Sequence, residues 1–161
     1  MRNRTSAVIV IGTTLIGKYP TKYLRTDKGG SMDAGNLKIG NYVYADKEIV
    51  KVVAIDTTKD GIELKVSDGE LLKGKVSELK ITPIKLSMDI LQKYCGFDKN
   101  GLYVLGIDKD QYYLKFQTEH IALLMENKEP LIHFWDVQHL HQLQNLYYSL
   151  KTKDMEIRVK E

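Results

Sequence analysis

Gly61-Ile62-Glu63-Leu64-Lys65-Val66-Ser67-Asp68-Gly69-Glu70-Leu71-Leu72-Lys73-Gly74-Lys75-Val76 reads as a β-hairpin. Apolar and charged residues alternate from Ile62 to Val66, so Ile62, Leu64 and Val66 share one face of a half-buried strand. Asp68-Gly69 is a two-residue turn signal, because both residues tolerate the positive φ of a hairpin turn. Leu71–Val76 then returns as the partner strand.

The pattern extends on both sides. Glu48 to Ile55 is rich in β-branched residues and reads as a strand. It is joined to Ile62 by the turn Thr57-Thr58-Lys59-Asp60-Gly61. Upstream, Leu37-Lys38-Ile39-Gly40-Asn41-Tyr42-Val43-Tyr44 opens with a turn and a short strand. Downstream, Ser77-Glu78-Leu79 bends into Ile81-Thr82-Pro83-Ile84. Short strands this closely joined predict a small antiparallel barrel of the Src-homology-3-like kind over residues 32–86.

Residues 87–161 read differently. Ser87 is placed to cap a short helix, Met88 to Cys95, closed by Gly96. Tyr103–Ile107, Gln111–Gln117, His120–Met125 and Leu131–Trp135 read as strands joined by polar turns, although Ile121–Met125 lacks clean alternation and also suits a helical turn. Asp136 reads as the N-cap of a last helix from Val137 to about Lys151. Val137, Leu140, Leu143 or Gln144, Tyr147 and Leu150 recur at helical spacing, which places Gln142, Asn145 and Ser149 outward. Met155, Ile157 and Val159 alternate as a short last strand. The expected class is α+β: the barrel, then a helix–antiparallel sheet–helix module.

Residues 1–31 stand apart as a leader. The whole chain of 161 residues carries a formal charge of +3, yet residues 1–36 hold six basic and two acidic side chains. The apparent basicity therefore belongs to the leader. Ala7–Ile11 is a strand-like apolar run behind Arg2 and Arg4, but Thr13 and Thr14 interrupt it and no small-residue cleavage site follows, which argues against a signal peptide. Gly12-Thr13-Thr14-Leu15-Ile16-Gly17-Lys18 matches a phosphate-binding loop until its last position, where Tyr19 replaces the magnesium-binding Ser or Thr. Lys28-Gly29-Gly30 can be encoded by a purine-rich ribosome-binding sequence just before Met32. The expectation is that translation starts at Met32 and that residues 1–31 are untranslated or disordered.

Composition narrows the function. One cysteine, Cys95, permits no internal disulfide and fits a reducing cytoplasm. No apolar run reaches the length of a membrane span. The barrel segment 37–86 carries nine lysines, eight acids and no arginine. Interleaved signs make a solvated surface rather than a phosphate-tracking stripe, so nucleic acid is not the expected partner. His139 and His141, two apart on a helix, point away from each other and do not read as a metal pair; Cys95 reads as a buried structural thiol. No catalytic motif and no cofactor signature is present. Tyr147 and Tyr148 lie about 100° apart on a helix, so one of them is left for a surface. The candidate binding residues are Trp135, His141, Gln142, Asn145 and Tyr148.

Leu140-His141-Gln142-Leu143-Gln144-Asn145-Leu146-Tyr147-Tyr148-Ser149-Leu150 with Met155-Glu156-Ile157, and the opening Leu37–Val43, resemble the two ends of a group of small uncharacterised phage and prophage proteins of Bacteroidetes-type gut bacteria. The likeness covers about residues 32–157 and is specific at 37–43 and 140–157. Lys153 stands where a helix-ending glycine is usual in the group. The resemblance implies a phage context and no particular activity. The expected function is that of a non-enzymatic, cytoplasmic accessory protein that binds a host or phage protein. Binding of a nucleotide or a defence-signalling nucleotide is the first alternative, and a nucleic-acid-associated barrel the second.

Overall fold

A computed structural model of the chain describes residues 8–11, 14–18, 32, 34–59, 61–107 and 109–159. The fold is α+β, with antiparallel sheets and two α-helices. Strands β1 (Val8–Ile11) and β2 (Thr14–Lys18) pair as a hairpin. Much of the leader, including Gly12, Thr13 and Tyr19 of the phosphate-loop match, lies outside the described residues. The part that is described, Thr14–Lys18, is strand rather than loop.

Five strands form the first sheet: β3 (Tyr42–Ala45), β4 (Glu48–Thr58), β5 (Gly61–Ser67), β6 (Leu71–Lys75) and β7 (Ile81–Thr82). Their order across the sheet is β6-β5-β4-β3-β7. A register shift between Val52 and Ala54 bends the long strand β4, and the sheet curls into a half-barrel. Alternation places Leu64 and Val66 fully inside, together with Val43, Val50 and Val52, while Ile62 packs at the margin. Ser67 pairs with Leu71, so the β5–β6 connection is a three-residue loop over Asp68-Gly69-Glu70, not the two-residue turn that the sequence suggests. The left-handed φ of +126° at Gly69 and the bond from Glu70 N–H to Asp68 Oδ1 shape it. Met32 and Leu37 complete this core.

The second sheet is a four-stranded meander, β8 (Leu102–Ile107), β9 (Asp110–Gln117), β10 (His120–Leu124) and β11 (Pro130–Phe134). Helix α1 (Met88–Tyr94) precedes it, with Ser87 Oγ accepting the Ile90 N–H at 3.3 Å. Helix α2 (Leu140–Lys151) follows it. Leu105, Leu114, Ile121 and Leu123 alternate onto one sheet face and meet Leu140, Leu143, Leu146 and Leu150 of α2 in a second core. Segment 120–124 is strand throughout, not a helical turn.

Two boundaries depart from the sequence reading. Helix α2 begins at Leu140 with His139 as its N-cap, not at Val137 behind Asp136. Residues 138–140 instead lie beside residues 84–86: Leu86 N–H donates to Gln138 O and Leu140 N–H to Ile84 O, each at 2.8 Å. Those bonds hold the segment out of the helix until His139. At the other end, residues 155–159 join no sheet; Met155 is buried and the Arg158 N–H donates to Tyr94 O at 2.8 Å.

Candidate functional site

Helix α2 carries two inner faces. Leu140, Leu143, Tyr147 and Leu150 are buried towards the meander. His141, Gln144, Asn145 and Tyr148 recur at i, i+3, i+4 and i+7, which is one helix face. Gln144 and Asn145 on this face bond to residues at the start of the half-barrel. Gln144 Oε1 accepts the Tyr42 N–H at 2.9 Å and its Nε2 donates to Gly40 O at 3.0 Å. Asn145 Oδ1 accepts from Asn41 Nδ2 at 3.0 Å, and Asn145 Nδ2 donates to Asn36 O at 3.3 Å. These amides staple the two modules together.

Beside the staples lies a groove of about 390 Å³, between the turn Lys38–Asn41 and the C-terminal half of α2, with Asp154 and Met155 along one wall. The turn is built locally: Asn41 Oδ1 accepts the Lys38 N–H at 2.8 Å, and Gly40 takes a φ of +94°, which an L side chain adopts only with strain. That geometry leaves Ile39 64% exposed at the rim. Across from it, the Lys38 ammonium sits 5.4 Å from the centre of the Tyr148 ring, a cation–π distance. The groove thus offers an aliphatic rim, an aromatic ring and charges of both signs, Lys38 and Asp154.

The five sequence candidates fall in four places. Asn145 and Tyr148 line the groove. His141 lies one turn earlier on the same helix face, 1% exposed, with Nδ1 buried and unpartnered. Burial, and then the neighbouring His139, push its pKa down to about 3, so it is a neutral interior histidine. Gln142 is buried rather than outward: its Oε1 accepts the N–H groups of Gln138 and His139, each at 2.9 Å, and closes the start of the helix. Asn145 too is half-buried and bonded, so the outward polar face expected from Gln142 and Asn145 is inward at both.

Trp135 stands elsewhere, in the turn just after β11 rather than within the strand as the sequence reading has it, 64% exposed. It stacks on His120 with ring centres 3.8 Å apart, and His120 Nε2 lies 3.0 Å from His133 Nδ1. His133 and His120 come together because β10 and β11 are antiparallel neighbours. His139 and His141, expected to diverge, have ring centres 5.9 Å apart, because His139 precedes the helix and does not follow its angular spacing.

Cys95 caps α1 and is buried, and burial pushes its thiol up to about 12. Among the described residues no group of three or more His, Cys, Asp or Glu side chains gathers. No helix among them is long and apolar enough to cross a membrane. The chain matches no protein-family model, and neither a curated protein nor a solved structure matches it.

Proposed function

We propose that this is a non-enzymatic accessory protein of phage or mobile-element origin that works in the cytoplasm by binding another protein, and that the partner docks in the groove between the Lys38–Asn41 turn and α2. The observation that carries this reading is the exposed Ile39 at the rim of a groove whose other walls supply Tyr148, Lys38 and Asp154. An aliphatic anchor point ringed by mixed charge suits a protein segment, which brings apolar side chains and both hydrogen-bonding polarities. The order β6-β5-β4-β3-β7 supports reading the half-barrel as Src-homology-3-like, because the fifth strand returns to pair with the first as closure of such a barrel requires. The phage origin rests on the resemblance at residues 37–43 and 140–157.

Nucleotide binding is the second reading, favoured by the placement of Lys38 against Tyr148. The Asp154 carboxylate in the same groove weighs against it, since it repels a phosphate. Duplex binding along the half-barrel is disfavoured by the pairing of three of its nine lysines. Lys73–Glu63 at 3.1 Å, Lys80–Asp46 at 3.2 Å and Lys65–Asp56 at 3.8 Å alternate sign over the surface.

Affinity capture from lysogenic cells tests the reading when wild type is compared with Ile39→Asp and Tyr148→Ala in the groove and Leu71→Asp outside it. The same partner should be recovered with wild type and Leu71→Asp and lost with both groove variants. Recovery that ignores the groove variants, or a nucleotide released from the purified wild-type protein, would overturn it.

A further inference from the structure

The second sheet has one face buried against α2 and one face turned away from it. Register fixes which side chains alternate onto the outer face. His120 lies opposite Gln117, while Ala122 lies between Lys115 and His133. Val104 and Leu124 flank Tyr113 one row further on. Val104 is 58% exposed, and Trp135, in the turn just after β11 and stacked on His120, is more exposed still. The described strand residues that alternate onto this face include no carboxylate. Its cation is Lys115, and Lys128, reaching in from the β10–β11 turn, sits 5.9 Å from the centre of the Tyr113 ring. Of the acids close to the sheet, Glu119, Glu126, Glu129 and Asp136 stand in the turns at its ends, and Asp110 opens β9 opposite Ile107 in the inner row.

Trp135 is propped on one face by a second ring. His120 supports one ring face at 3.8 Å and is itself fixed by the hydrogen bond to His133 at 3.0 Å. A propped aromatic ring with one face towards solvent is a stacking platform. Beside it, lysines on a face without acids attract an anion that carries flat rings. Two strands and one side-chain row separate Trp135 from Lys115, on the order of 12 Å between their Cα atoms. A base stacked on Trp135 can therefore lead a flexible phosphate chain across the sheet towards Lys115 and Lys128, whereas a stiff duplex cannot present an unstacked base to it.

We propose that the outer face of this second sheet binds single-stranded nucleic acid, with a base stacked on Trp135 and phosphates drawn to Lys115 and Lys128. This site lies apart from the protein-docking groove and from the half-barrel, where Lys65, Lys73 and Lys80 pair with acids. Sequence-independent contact is expected, because the face carries ring surfaces and charge but few groups aimed at base edges.

The probe is a short oligothymidylate added to the 161-residue chain, with the emission of its one tryptophan as the readout. Stacking should quench Trp135. In anisotropy measurements with labelled oligothymidylate, Trp135→Ala should weaken binding about 5- to 150-fold, the usual span for losing one base–aromatic stack. Val104→Glu, which puts a carboxylate on the exposed face without touching the stack, should abolish binding while thermal unfolding stays intact. Lys115→Ala should lower the slope of log affinity against log salt by about 0.7, one phosphate contact on a single strand. Unchanged Trp135 emission at low salt would overturn the proposal. So would equal affinity for a same-length duplex, or competition of equal strength by polyglutamate, which would mark the face as a dock for an acidic protein.

Discussion

Gln144 takes the place of a neighbouring strand for Tyr42. Strand β7 covers β3 only at Tyr44 and Ala45, so the edge of β3 is open at Tyr42. The Gln144 amide accepts the Tyr42 N–H at 2.9 Å and donates to the Gly40 carbonyl at 3.0 Å. One side-chain amide thus satisfies a donor and an acceptor of the backbone, as a peptide group of a strand would.

Gln144→Met keeps the volume and removes the amide. Each buried backbone group left without a partner should cost about 1–3 kcal/mol. Urea unfolding of this variant, followed by far-UV circular dichroism, should show a clear fall in midpoint. A change within about 0.5 kcal/mol, the range of ordinary surface substitutions, would mean that the amide does not join the modules.

Leu143 and Gln142 are adjacent and both buried, but for different reasons. Leu143 is completely enclosed in the second core, so Leu143→Ala should cost about 2–5 kcal/mol. Gln142 closes the start of α2, so Gln142→Ala should cost about 0.5–2 kcal/mol, as the loss of a helix cap does. A Gln142→Ala variant as stable as wild type would show that the His139 backbone finds another partner.

Acid should weaken the protein before its carboxylates titrate. His141 has an ordinary value of 6.5 in the unfolded chain and about 3 when folded, because burial and His139 disfavour its charge. Between those values the unfolded chain holds a proton that the folded one does not. This contribution is therefore fully present above about pH 6.5 and is lost as pH falls, by at most about 1.4 kcal/mol per pH unit. His120, lowered by burial and by His133, acts in the same direction. Urea midpoints measured from pH 7 to pH 5 should fall in wild type and fall less in His141→Met. Equal slopes in the two proteins would remove His141 from the explanation.

Much of the half-barrel was legible because Ile62–Val66 sees the core on one side only, and period-two alternation records that asymmetry. Strand β10 was ambiguous because it is buried on both sides. Ile121 and Leu123 face the core, and His120, Ala122 and Leu124 lie beneath the side chains of β9 and β11. Alternation has nothing to record there. Asn145 was misread for a related reason. A polar residue on an amphipathic helix is assigned to solvent, and its partner Asn41 lies 104 positions away in the chain. The start of α2 was misplaced because Asp136 has the better capping side chain, whereas the pairing of residues 84–86 with residues 138–140 decides where the helix begins. Tyr148 on the surface beside a buried Tyr147 follows from helix geometry alone.

Cys95 should behave as an inert thiol. It is 2% exposed and its pKa is pushed up to about 12, so at neutral pH almost none of it is thiolate and reagents cannot reach it. Alkylation by iodoacetamide, followed by intact-mass spectrometry, should be negligible in the native protein and complete in denaturant. Rapid labelling of the native protein would mean that α1 and the segment around Phe97 open locally far more often than the core they share.

The protein lacking residues 1–31 should fold. Met32 is 3% exposed in the core of the half-barrel, with Leu37 beside it, so the first core already has an anchor at the start of the shortened chain. The second core is built on residues 84–155, and the amide staples between the modules run from residues 36–42 to α2. None of these contacts needs an atom upstream of Met32. Strand β2 does lie alongside α2, so its hairpin can add stability without being required for the fold. Scanning calorimetry of residues 32–161 should therefore show one cooperative transition, at or modestly below the wild-type temperature. A broad, non-cooperative melt would place the β1–β2 hairpin inside the folding unit, and the expectation that the domain begins at Met32 would fail with it.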